Sequence, residues 1–163
     1  MGNVLINKML SCIPSSATHQ QKGVRCIGRF PRFYEKPRVK EARKLYMDML
    51  KPHRPEVPFS GALSLEVMVF FPHRKSDPKK VRQLDAIWHD KAKPDMSNWM
   101  KLFEDCLEDS GYFRNDGQLA ISTGKKFYAK NPGIFFRISS LTGTEAILSN
   151  FHREIDYCKT NTE

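Results

Sequence analysis

A chain of 163 residues, 40% hydrophobic and 28% charged, is long enough to bury a core and too apolar to remain disordered as a whole. Its 27 Lys and Arg against 18 Asp and Glu give a formal net charge of +9, a field that favours polyanions, nucleic acid first among them. No run approaches the roughly 18 apolar residues of a membrane span. The opening MGNVLINKMLSC is broken by Asn7 and Lys8, lacks a convincing cleavage site, and has Ile6 where a myristoylation signal wants Ser or Thr. The expected location is the cytoplasm. Cys12, Cys26, Cys106 and Cys158 lie far apart with no zinc-type spacing, and they read as buried thiols of a reducing compartment.

In chain order, residues 1–20 carry no assignable pattern and are set apart as an N-terminal extension. Residues 21–44 hold nine Lys and Arg against Glu35 and Glu41. Phe30, Phe33 and Tyr34 interleave with these cations around Gly28 and Pro31, which predicts a strand pair or turn and then a helix from about Val39 to Leu50. The structural alternative is a solvated basic face over core aromatics. ALSLEVMVFF (62–71) alternates, so it predicts a strand with Leu63, Leu65, Val67, Val69 and Phe71 on its core face. From Pro72 to Pro94 a long polar loop carries a second block of cations, including Arg74, Lys75, Lys79, Lys80, Arg82, Lys91 and Lys93. Further on, LAIST, KKFYA and GIFFRISSL read as strands, the last entered through a Pro132-Gly133 turn. A final helix is predicted from about Glu145 to Lys159 with Thr144 as its cap. Together these elements predict an α+β fold: a single small domain over residues 21–141, a mixed β-sheet packed with a few helices, followed by a helical tail over 142–163.

The acids concentrate in KPDMSNWMKLFEDCLEDSGYFRNDGQLA, Lys93 to Ala120. Asp95 stands just before an apolar periodicity that runs to Leu107, and Gly111 follows, so a helix is predicted from about Met96 to Asp109. At 100° per residue, Met96, Trp99, Met100, Leu102, Phe103, Cys106 and Leu107 share one side, and Ser97, Asn98, Lys101, Glu104, Asp105 and Glu108 share the other. Two readings stay open on spacing alone. Asp95 is a good N-cap, Lys101 with Asp105 an ordinary i,i+4 pair, and Asp116-Gly117 a hairpin turn; alternatively, the carboxylates and the lysine form a site.

KPDMSNWMK, then FEDCL, then RNDGQL, resembles the signature of RusA-type Holliday junction resolvases, in which Lys-Pro-Asp-x-Asp-Asn-x-x-Lys leads into a helix and an Asp-Asp-x-Gln segment follows. The flanking sequence is similar to phage and bacterial members over about residues 20–140. The resemblance implies a RusA-like fold, a host cell that is bacterial or phage-infected, a homodimer, and paired phosphodiester nicks in four-way or other branched DNA during recombination and repair. It also implies Mg²⁺, with Mn²⁺ as a substitute, to polarise the phosphate and activate a water. Asp95 and Asp116 fall on metal-binding carboxylates, Lys101 on the catalytic lysine, and Asn98 on the motif's Asn. Two positions depart from the pattern: Ser97 replaces the second Asp of the first motif, and Asn115 the first Asp of the pair. Glu104, two turns beyond Ser97, is the candidate replacement ligand, and Glu104 or Asp105 would assist as ligand or water-orienting group. Phosphate contacts are expected from Lys22, Arg25, Arg29, Arg32, Lys36, Arg38, Lys93, Lys125 and Lys126. The competing readings are a catalytically weak or inactive branched-DNA-binding protein of the same fold, and a basic RNA-binding module.

Overall fold

Strands with one apolar face need a layer to cover it, and here two long helices supply that layer. The computed structural model describes residues 3–141; the helix expected over Glu145 to Lys159 lies outside them, as does Cys158. In chain order the elements are β1 (Val4–Leu10), β2 (Lys22–Ile27), β3 (Phe30–Glu35), α1 (Pro37–Leu50), β4 (Leu63–Pro72), α2 (Lys79–Arg82), β5 (Ala86–Trp88), α3 (Met96–Asp109), β6 (Leu119–Ala129) and β7 (Gly133–Ser140). Five strands form a mixed sheet in the order β1-β7-β4-β6-β5, and β2 pairs with β3 as a separate two-stranded ribbon. Only β4 and β6 run parallel among the paired strands described. Parallel neighbours need a long crossover, and the connection from β4 to β6 contains α3.

The crossover lays α3 against the sheet. Leu63, Leu65, Val67 and Val69 of β4 are fully buried, as the alternation predicts, and so are Trp99, Leu102, Phe103, Cys106 and Leu107 of α3. Phe103 meets Phe136 of β7 edge-on at 6.0 Å, while Tyr46 of α1 sets its ring edge-on to both Trp99 and Phe103 at 5.7 Å. At Gly124 of β6 an added Cβ would come within 2.6 Å of Met96 and 2.8 Å of Met100. A side chain there would displace the Met96 and Met100 side chains that lie on the strand. Phe103→Ala removes the ring shared by α1, α3 and β7, so it is expected to cost about 3–5 kcal/mol in urea unfolding.

Several sequence expectations need correction. Val4–Leu10, placed in the N-terminal extension, is an edge strand antiparallel to β7. Residues 15–19 are also fixed to the helices: Ser15 carbonyl accepts from Trp99 Nε1 at 2.9 Å and from the Tyr46 hydroxyl at 3.1 Å, and the His19 amide donates to Asn98 carbonyl at 3.1 Å. LAIST and KKFYA form one continuous strand, β6, rather than two. The polar loop after Pro72 contains α2 and β5, and Trp88 of β5 stacks on Phe127 at 4.6 Å. Of the three described cysteines only Cys106 is buried; Cys12 is half-buried and Cys26 exposed. Burial pushes the Cys106 thiol up to about 12 and that of Cys12 to about 11, well above thiolate formation at neutral pH.

Candidate active site on the long amphipathic helix

The start of α3 is built by its own sequence. Asp95 is extended and its Oδ1 accepts from the Asn98 amide at 2.9 Å, a side-chain N-cap. Capping uses one oxygen, which leaves Oδ2 without a hydrogen-bond partner among the described residues on an exposed side chain. The preceding turn is held by Lys126 of β6, whose ammonium donates to the carbonyls of Lys91 at 2.7 Å and Pro94 at 3.0 Å, across a cis Lys93-Pro94 bond. Lys126 therefore positions the Asp95 turn instead of standing free for phosphate. Lys125 is likewise engaged, with Glu66 of β4 at 2.9 Å.

The polar side of α3 divides into neutralised and free charges. Arg43 of α1 reaches Asp109 at 2.8 Å, Glu35 at 3.1 Å and Asp105 at 3.3 Å, and His19 Nδ1 lies 3.0 Å from Asp105. Asp105 is thus spent on holding the N-terminal segment and α1 to α3, and the expected Lys101–Asp105 pair does not form. Glu108 accepts from the Asp116 amide at 3.0 Å. By contrast, Lys101, Glu104 and Asp116 have no side-chain hydrogen bond or ion pair among the described residues, and Lys101, Asp95 and Asp116 are exposed. Ser97 and Glu104 line one cleft of about 370 Å³ with Met96, Met100, Ser122 and Gly124. The vacant carboxylate position and its candidate replacement therefore open onto the same space.

Asp116 sits in a 3-10 turn, Asp116–Gln118, and not in a hairpin. Asn115 caps it by accepting from the Gly117 amide at 2.7 Å. Gln118 then ties the turn down: its Oε1 accepts from the Arg114 and Asn115 amides, and its Nε2 donates to the carbonyls of Phe59 and Gly61. Gln118, Glu108, Arg43, His19 and the positioning role of Lys126 were not assigned from sequence. Gln118 alone carried a signal, its place in the Asp-Asp-x-Gln segment.

Asp95 and Asp116 lie at opposite ends of α3. From Asp95 to Glu108 the helix rises about 20 Å at 1.5 Å per residue, and Asp116 is hydrogen-bonded to Glu108. Two carboxylate oxygens on one Mg²⁺ lie within about 4 Å of each other, since each is about 2.1 Å from the ion. Even with Glu108 reaching back a full turn, Asp95 and Asp116 of one chain are too distant for that. Consistently, no three His, Cys, Asp or Glu side chains among the described residues are grouped so as to hold a metal ion. One chain by itself does not fit the Mg²⁺ site that the motif implies.

Lys22, Arg25, Arg29, Arg32, Lys36 and Lys93 are exposed and make no ion pair among the described residues, while Arg38 donates to the Ser16 hydroxyl. No helix among the described residues is long and apolar enough to cross a membrane.

A mixed sheet, a long helix with free charges on its outer side, and a basic ribbon beside it define a small α+β domain that presents an acidic row within a positive surround. The sequence matches the family described as endodeoxyribonuclease RusA over residues 13–139. The chain belongs to that family, which is one of endodeoxyribonucleases. It is also similar to the uncharacterized protein YqaN of Bacillus subtilis (strain 168), 31% identical over 86 residues, which is 50% of this chain and 60% of YqaN.

Proposed function

We propose that this protein is a divalent-metal-dependent endonuclease that nicks four-way and related branched DNA as a homodimer, each active site being completed by both copies. The observation that carries this reading is the length of α3. Its two ends are about 20 Å apart, and the carboxylates that the family motif pairs sit one at each end, Asp95 as the N-cap and Asp116 held against Glu108. A two-fold axis near the middle of α3, with the two helices antiparallel, brings Asp95 of one copy toward Asp116 of the partner subunit, and the same operation generates the second site. Mg²⁺ suits such a seam, because it needs only a few carboxylates and keeps several waters. Lys101, free of any carboxylate partner among the described residues, is available to a phosphate or to the attacking water.

Synthetic four-way junctions incubated with Mg²⁺ beside linear duplex of the same sequence test this. Junction-selective nicking is expected; tight junction binding without nicking would favour the second reading, a binding protein that lost a ligand at Ser97. The shared cleft supports Glu104 as the substitute. Ser97→Asp is therefore expected to tighten Mg²⁺ and raise cleavage at low metal, whereas Glu104→Ala is expected to shift the metal requirement upward by about tenfold or more, measured by titrating Mg²⁺ against nicking rate. Unchanged cleavage in Glu104→Ala removes that residue from the site.

A further inference from the structure

The ribbon formed by β2 and β3 has exposed residues on both faces. Phe30 is 76% exposed, Phe33 72%, Val24 57% and Tyr34 49%, so these aromatics are not the core residues that the bland sequence reading allowed. An isolated two-stranded hairpin is marginal in water, and two nearly bare phenylalanines on one are a cost unless something covers them. The ribbon is nevertheless well specified. Gly28, at φ 64°, opens a two-residue Gly28-Arg29 turn between Ile27 and Phe30, the arrangement of a II′ hairpin turn, in which glycine takes the first central position. Tyr34 lies over Gly23, where an added Cβ would overlap its ring.

Charge says what the ribbon meets. Arg25 and Arg32 are directly opposite each other in the antiparallel register and so point to the same face, a like-charge pair that destabilises a hairpin in isolation. Lys22, Arg29 and Lys36 add to the field, and the acid of the ribbon, Glu35, is already matched by Arg43 at 3.1 Å. An anion between the two arginines would turn that repulsion into attraction. A partner offering both phosphates and flat apolar faces is a nucleic acid whose bases are unstacked. Linear duplex hides those faces inside the stack, and the crossing point of a branched DNA exposes them.

We infer that the β2–β3 ribbon is a branch-point reader inserted at the crossing: Phe30, on the face that carries Arg25 and Arg32, stacks on an unstacked base while those arginines hold the phosphates beside it, and Phe33, on the opposite face, meets a second unstacked base. The inference rests on the branched-DNA reading above and adds the element that distinguishes branch from duplex. Stacking tolerates any base, so the ribbon would select shape and not sequence.

The test compares wild type, Phe30→Ala/Phe33→Ala and Phe30→Tyr/Phe33→Tyr, all in EDTA so that nothing is cut. Affinities are measured for a four-way junction and for linear duplex of the same sequence, with 2-aminopurine at the crossing as a stacking reporter and sedimentation to fix the oligomeric state. The alanine pair is expected to lose about tenfold or more in junction affinity while duplex affinity and its salt dependence stay unchanged, and to abolish the 2-aminopurine response. The tyrosine pair, which keeps the rings, is expected to behave as wild type. Equal junction affinity and an unchanged 2-aminopurine signal in the alanine pair would overturn the inference while leaving the nuclease reading intact. So would loss of dimerisation in that pair, which would assign the rings to a contact between copies. Wild type that neither prefers junctions nor cuts them with Mg²⁺ would overturn both.

Discussion

Asp95→Asn is expected to lower junction cleavage by on the order of 10²- to 10³-fold, the scale seen when one preorganised electrostatic group is removed from a reacting centre, while the fold and junction affinity survive. The substitution is informative because Asp95 has two functions that Asn separates. As a cap, its Oδ1 accepts from the Asn98 amide, and Asn caps helices about as well as Asp. As a charge, Asn supplies nothing. The melting temperature of Asp95→Asn should therefore match wild type, whereas Asp95→Ala loses the cap as well and should be less stable by about 1 kcal/mol. Removing a negative charge from a surface that faces phosphates should leave junction binding equal or tighter, most visibly at low salt. Full cleavage by Asp95→Asn would mean that Asp95 is a helix cap and no more.

What could be read from sequence tracks how local each signal is. The bounds and core face of α3 follow from periodicity and a cap within one segment, and β4 follows from strict alternation because its face is fully buried. Strand β1 gave no such signal: apart from Ile6 and Leu10 its residues are exposed, as an edge strand allows, so little alternation was imposed on it. Gly124 made β6 look like two strands, yet it is the absence of a side chain there that lets Met96 and Met100 lie on the strand. Lys125 looked free because its partner Glu66 is 59 residues away in sequence and meets it only through the pairing of β4 with β6. Asp105 likewise looked like a partner for Lys101 because the two are one turn apart; the stronger claim comes from Arg43 on another helix. The motif residues were legible, and the separation of Asp95 from Asp116 was not, since it depends on the docking of the Asp116 turn against Glu108 at the far end of α3.

That separation leads to the prediction with the sharpest outcome. Asp95→Asn and Asp116→Asn are each expected to be inactive as homodimers. A heterodimer of one chain of each, purified through two different affinity tags, is expected to regain about half of the wild-type nicking, because one of its two shared sites contains both original carboxylates and the other contains neither. Paired cutting should stay absent, since a single working site nicks one strand and leaves the opposite strand intact. Denaturing gels that follow each labelled strand separate the two outcomes. If each chain carried a complete site, every site in the heterodimer would lack one carboxylate and the mixture would be as inactive as its parents. Restored single-strand nicking would thus locate the chemistry at the seam between two copies, where the length of α3 has already put the carboxylates of one chain out of reach of each other.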